Sequence, residues 1–220
     1  MKSILKYLFV SLFAISLVSC ESEEEKVVYI FGHPDLIENI VSDFIEVGSY
    51  GLEKQVEIAS GVANVSLTDP ADNYSETLQN FYEGPYGYYN YELDYEATHV
   101  ENTIELNSLA TGEYETSYVE SEDEINNAWV MAEVDEASDF YMLSGTSTRN
   151  GFQYSKVYDD SFDSDIELTF EGLEINRITN KIKKGEIKFT YVGESSYGEV
   201  YSNNGTIKYS DYTSVLSFDE

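Results

Sequence analysis

From residue 86 onward apolar and polar residues alternate with a period of two, and this alternation constrains the fold more than any other feature of the chain. In Tyr91-Glu92-Leu93-Asp94-Tyr95-Glu96 the rings and the leucine share one face and the carboxylates the other, because successive side chains of an extended strand point to opposite sides. Val100, Ile104 and Leu106 alternate in the same way with Glu101, Thr103, Glu105 and Asn107. Such segments bury one face only and need a second layer to cover it.

The second half of the chain reads as a succession of strands over 140–148, 152–158, 166–178, 187–193, 197–202, 206–210 and 213–218. Asn150-Gly151 and Asn203-Asn204-Gly205 read as hairpin turns, since left-handed turn positions favour Asn and Gly. Lys183-Lys184-Gly185 and an acidic loop near 159–165 read as further connections. At Gly172 the apolar positions change parity, from Ile166, Leu168 and Phe170 to Leu173 and Ile175, which predicts a β-bulge.

The N-terminal part has a different period. Residues 27–31 suit a short strand. Pro34 and Asp35 then open a helix whose stripe is Leu36, Ile37, Ile40, Val41, Phe44 and Ile45, and Gly48 and Gly51 end it. Residues 56–67 read as one or two short strands, and 74–82 fits a short helix or a strand equally well. The predicted fold is mainly β: an antiparallel meander, as a half-barrel or a sandwich, with one N-terminal helix packed on it.

Twelve Lys and Arg stand against forty-two Asp and Glu, a formal charge of −30, and no Lys or Arg occurs between Lys54 and Arg149. The cations gather instead in Arg177, Lys181, Lys183, Lys184 and Lys188. Nucleic acid and anionic membrane surfaces are poor partners for such a field. High charge with few apolar residues would mean disorder, but 42% hydrophobic and 15% aromatic residues, with twenty tyrosines, supply a core. With one cysteine in the chain no intramolecular disulfide can form, so burial alone holds the fold together.

That cysteine, Cys20, closes the run Leu17-Val18-Ser19-Cys20 after a basic and apolar start, in which Lys2 and Lys6 precede an apolar stretch over 7–18. The stretch is too short to span a bilayer. The pattern resembles the lipobox of lipoprotein signal peptides. The resemblance implies a signal peptide over 1–19, cleavage before Cys20, and acylation, palmitate included, of its thiol and of the new amino terminus. Glu21-Ser22-Glu23-Glu24-Glu25 makes 20–26 an acidic tether beside the lipid and resembles the acidic export signal of surface lipoproteins of Bacteroidota. This implies anchorage in the outer membrane, facing the exterior, although a solvated tether of like charges would look the same. One β-rich domain over 27–220 follows. Its segment from Leu143-Ser144-Gly145 through Lys208-Tyr209 resembles the strand-rich C-terminal pattern of Bacteroidota lipoproteins that carry no assigned activity.

Signatures of catalysis are sparse. Two histidines, His33 and His99, are the available bases, and no Gly-x-Ser-x-Gly elbow, phosphate loop or His-Glu-x-x-His helix occurs. His33 reads as a helix-entry residue and His99, in a turn, as a weak metal partner of Glu101. A hairpin of 91–96 with 100–107 would set Glu92, Asp94 and Glu96 against Glu101 and Glu105, and a calcium ion would relieve the repulsion. Asp159, Asp160, Asp163 and Asp165 offer a second carboxylate cluster, without EF-hand spacing. The bland reading of both is a solvated acidic face.

In the segment 82–91, Tyr82, Tyr86, Tyr88, Tyr89 and Tyr91 form either a stacking platform for a glycan or protein ligand or a set of core rings. Three functions follow in order. The first is a noncatalytic lipid-anchored binding module of the cell envelope. The second is a carrier for an apolar ligand held between sheet and helix. The third is an enzyme with a carboxylate-based site.

Overall fold

The computed structural model describes residues 28–29, 34–68, 73–85, 87–132 and 138–219. Cys20, the acidic run that follows it, His33 and Tyr86 lie outside the described residues.

After a two-residue strand β1 (Val28–Tyr29), helix α1 (Pro34–Ile45) begins at the proline, as its fixed φ favours. The whole predicted stripe of α1, from Leu36 to Ile45, is buried. A 3₁₀ turn (Val47–Ser49) and Tyr50, left-handed at φ 58°, lead into a second helix, α2 (Leu52–Thr68). Gly51 is required there, because a Cβ would lie 2.6 Å from the backbone of Phe44 and Ile45. Helix α2 replaces the strands expected over 56–67. Val56, Ile58, Val62 and Val65 imitate a strand in composition, but the buried apolar positions are Leu52, Val56, Ala59, Val62 and Ala63, a helical stripe carried partly by alanines.

Nine strands then run as one antiparallel meander. They are β2 (Asn73–Gly84), β3 (Gly87–Val100), β4 (Thr103–Thr116), β5 (Val119–Ala132), β6 (Phe140–Ser155), β7 (Asp160–Asn176), β8 (Lys181–Ser195), β9 (Val200–Ser210) and β10 (Thr213–Phe218). Each pairs with the next, and the sheet does not close into a barrel. Strand β2 forms one edge, while β10 and the parallel β1 share the outer side of β9 at the other. The segment that read as helix or strand is β2. Both helices lie on the inner face, where Leu93, Ile125, Leu168, Ile187 and Tyr191 meet Phe44, Leu52 and Val56 in one core. Burial of each such side chain is worth ~1.5–3 kcal/mol, and no cross-link supplements it.

Asn150-Gly151 and Asn203-Asn204-Gly205 lie inside β6 and β9 rather than in turns, and Lys183-Lys184-Gly185 lies inside β8. The physical reason is close approach. One inner row crosses the sheet through Tyr91, Gly112, Asp123, Gly151, Ser164, Gly193 and Tyr201. A Cβ at Gly112 would lie 2.8 Å from the Tyr91 ring and one at Gly151 2.7 Å from the Asp123 Cα, so glycine between bulky partners lets the strands bend inward. Gly205 is covered by the Phe189 ring in the same way.

The actual connections include Asp211-Tyr212, both left-handed (φ 49° and 68°), as a two-residue hairpin demands, and the turns at 101–102, 156–159, 177–180 and 196–199. At Gly172 (φ 65°) the β7–β8 register shifts as predicted, so that Phe170 and Leu173 are both buried despite their odd spacing.

Candidate functional site

The meander leaves its outer face free of helices, and strand parity decides what that face carries. One row runs Thr77, Asp94, Leu109, Asn126, Thr148, Glu167, Thr190 and Asn204. The next runs Ser75, Glu96, Asn107, Ala128, Thr146, Thr169, Lys188 and Thr206. Apart from Leu109, Ala128 and Lys188, both rows are built of hydroxyl, amide and carboxylate side chains. Sheet twist and coil hollow the surface, and a trough of about 860 Å³ opens over β2–β6 between Thr77, Asp94, Asn107, Asn126 and Thr148, with Leu109 in its floor. A second trough of about 710 Å³, lined by Gln79, Glu92, Glu113, Glu122, Asn150 and Phe152, continues it, and a third of about 360 Å³ lies over β7 and β8. Phe81 and Phe152 stand exposed in one outer row at 66% and 49%, four strands and roughly 19 Å apart.

Beneath β5 and β6 the inner face holds a buried polar network that the sequence reading did not assemble. Arg149, 2% exposed, donates from Nε to the Asp123 carboxylate at 2.6 Å and from Nη2 to the Tyr91 hydroxyl at 2.9 Å. Asp123 also accepts from Tyr91 at 2.5 Å and from Ser121 at 2.7 Å, while Gln153 donates to Ser121 and accepts from Ser164. The Arg149 guanidinium lies 4.4 Å from the Tyr114 ring centroid and 5.3 Å from that of Phe44 on α1. Burial works against the Arg149 charge, but Asp123 and the hydroxyls of Tyr91 and Tyr114 outweigh it, so its pKa moves upward. On α1, Asp43 is pushed up to about 7 by burial, against the pull of Arg149. Parity was the available signal. Arg149 shares the inward phase of Tyr141 and Leu143, and Asp123 that of Ile125 and Trp129.

Each carboxylate of the two candidate cation clusters has a definite place. The carboxylates of Glu92, Asp94 and Glu96 point outward, but they face Thr111, Leu109 and Asn107 on β4 and Gln79, Thr77 and Ser75 on β2. Thr77 donates to Asp94 at 2.5 Å, and Gln79 donates to Glu92. Glu101 sits in the turn at φ 55° and Glu105 pairs with Thr98, so the opposition on which the calcium expectation rested does not arise. The register that would have opposed them is offset because only Glu101 and Asn102 form the turn. Asp159 caps a left-handed turn position and accepts from Tyr154, Asp160 accepts from Ser196, and Asp163 and Asp165 are outward residues of β7 rather than of a loop. Asp165 accepts from Asn150.

Among the described residues no group of three or more His, Cys, Asp or Glu side chains could hold a metal. His99 is a strand residue of β3 opposite Ile104, and its Nε2 is buried without a hydrogen-bond partner. Directly opposed like charges do occur, one strand over, at Glu113 with Glu122 and Glu115 with Glu120. Lys156 bridges the second pair.

The tyrosine segment divides. Tyr89 and Tyr91 are core residues, with Tyr91 stacked on Tyr50 at 4.6 Å and 13°, so they offer no platform. Tyr88 lies half-buried on the outer side, and Tyr82, 38% exposed, stacks on Tyr89 at the β2 edge. Between α1 and the β9–β10 hairpin the space amounts to about 50 Å³.

No protein-family model, no curated protein and no solved structure matches this chain.

Proposed function

We propose that the chain is a noncatalytic, lipid-anchored binding protein of the cell envelope, displayed on the outer membrane through Cys20 and binding a glycan on the exposed face of its sheet. The observation that supports the binding site is the contrast between the two faces. The outer one carries a trough of about 860 Å³ edged by Thr, Asn, Asp and Ser groups, whereas the space between α1 and the β9–β10 hairpin is about 50 Å³. A ligand needs concavity, a few convergent polar groups and some apolar contact area. Thr77, Asn107, Asn126 and Thr148 supply donors and acceptors, Leu109 supplies apolar contact in the floor, and Phe152 supplies it in the trough that continues the first.

The carrier reading fares worse, because 50 Å³ holds no lipid chain. The anchor is carried by the Leu17-Val18-Ser19-Cys20 pattern alone.

Two experiments bear on this reading. Metabolic labelling with palmitate should mark the wild-type chain and not Cys20→Ser, and protease added to intact cells should remove it; labelling that survives the substitution would end the anchor reading. On an immobilised glycan array, the full chain in detergent should bind a subset of oligosaccharides, and Asn107→Ala with Asn126→Ala should weaken binding by about tenfold or more. Glycan binding unaffected by both substitutions would move the site away from the trough.

A further inference from the structure

Strand β2 ends the sheet, and nothing among the described residues pairs with its outer side. It is twelve residues long, about 40 Å of extended backbone, and its register with β3 runs unbroken from Asn73↔Thr98 to Gly84↔Gly87. Protein sheets protect such edges with lysines, inward-pointing charges, an internal proline, a bulge or a covering segment. Strand β2 contains no Lys, Arg or Pro and has no bulge, and its inward charge, Glu76, is engaged by the hydroxyls of Tyr74 and Tyr95. The opposite edge differs, because β9 is shared between β10, six residues long, and β1. Alternate residues of β2 therefore direct N–H and C=O groups into solvent as a template for one more strand.

The surroundings specify what that strand must be. On the inner side Tyr74 and Tyr82 are 41% and 38% exposed, and the Glu76 carboxylate between them accepts from the Tyr74 hydroxyl at 2.9 Å and from Tyr95 at 3.2 Å. On the outer side the short Ser75, Thr77 and Gln79 leave Glu96, Asp94 and Glu92 of β3 accessible to a long side chain reaching across. No cation lies between Lys54 and Arg149 in the chain to neutralise them. A second copy fits badly, since an edge-to-edge pair would bring two such carboxylate sets together. A basic extended segment fits on both faces.

We propose that β2 is a docking edge for an extended, Lys- or Arg-rich segment of another protein, which adds as a further antiparallel or parallel strand. Backbone pairing supplies the attachment, Glu76 with its tyrosines receives a cationic side chain on the inner side, and Glu92, Asp94 and Glu96 receive others on the outer side. The edge borders the trough, which Ser75, Glu76, Thr77, Asp94 and Glu96 also line, but strand addition uses the outward N–H and C=O groups of β2 and needs no glycan in the trough.

The test uses the full chain in detergent and three fluorescent ten-residue peptides: a repeating Lys-Lys-Val-Val sequence, which presents Lys on both faces of a strand, the same peptide with alternate backbone amides N-methylated, and a version with Glu in place of Lys. The first should bind about tenfold or more tightly than the second, and the third should not bind. Hydrogen exchange should slow at alternate amides within 73–84 and be unchanged in β10. Glu76→Gln should weaken the first peptide severalfold while leaving the folded spectrum intact. Equal binding of the N-methylated peptide would mean charge adhesion without strand addition and would overturn the proposal. So would protection on β10 rather than β2, absence of saturable binding by the Lys-Val peptide at millimolar concentration, or a peptide-free dimer whose β2 amides are already protected.

Discussion

Arg149 shows how a single side chain can organise a region whose sequence is otherwise acidic. Its partner Asp123 and the Tyr91 and Ser121 hydroxyls are all buried, so removing one ion leaves the other charged without compensation. Arg149→Met should cost about 3–5 kcal/mol in urea unfolding, and Arg149→Met combined with Asp123→Leu should recover most of that loss. Asp43 gives a pH signature. Its folded pKa, about 7, lies above the ordinary 3.8, so the native state holds a proton that the unfolded chain releases. Stability from this group is complete below pH ~4 and is lost as pH rises to ~7, with a slope of up to about 1.4 kcal/mol per unit. Comparing wild-type and Asp43→Asn unfolding between pH 4 and 8 should show that slope vanish in the variant. Neither residue stood out in the sequence as a core ion: Arg149 keeps the inward phase of β6 and Asp43 lies beside the stripe of α1, but phase alone does not bury a charged side chain until its neighbours are in place.

At the scale of elements, cross-strand neighbours decide which charges matter. Glu113 and Glu122 oppose each other directly, and among the described residues no cation bridges them as Lys156 bridges Glu115 and Glu120. Glu122→Gln should raise stability by about 0.2–1 kcal/mol at low salt, with the gain shrinking in 0.5 M NaCl. The bulge at Gly172 is testable in the same way. A Cβ there meets only the Met142 Cε at 3.6 Å, so Gly172→Ala is a matter of φ rather than space and should cost about 1–2 kcal/mol. The bulge and α1 were legible because both break or keep a period within one segment. Helix α2 and the glycines of β6 and β9 were not, since alanine stripes are weak signals and an Asn-Gly pair marks a turn only when no neighbouring strand needs the missing Cβ.

For the whole molecule, charge and shape act together. A formal charge of −30 without disulfides leaves self-repulsion to be balanced by the core alone. Sodium chloride should therefore raise the unfolding midpoint, and with Glu92, Asp94 and Glu96 facing neutral partners, calcium at matched ionic strength should raise it no further. A calcium-specific increment would restore a cation site on the acidic face. The troughs of the candidate face belong to this scale too, because they arise from the coil of four or five neighbouring strands and from no residue taken singly.

By itself the sequence determined the strand-rich class, the helix at Pro34, the bulge at Gly172 and the acidic field, all of which follow from local period, local chemistry or simple counting. The tertiary structure decided the register that separates Glu92, Asp94 and Glu96 from Glu101, the burial of Arg149 and Asp123, the inward placement of Tyr89 and Tyr91, and the free edge at β2. These depend on which strands become neighbours and by what offset they align. A shift of one residue in pairing exchanges the two faces of a strand, so such properties belong to the sheet and not to any segment of the chain.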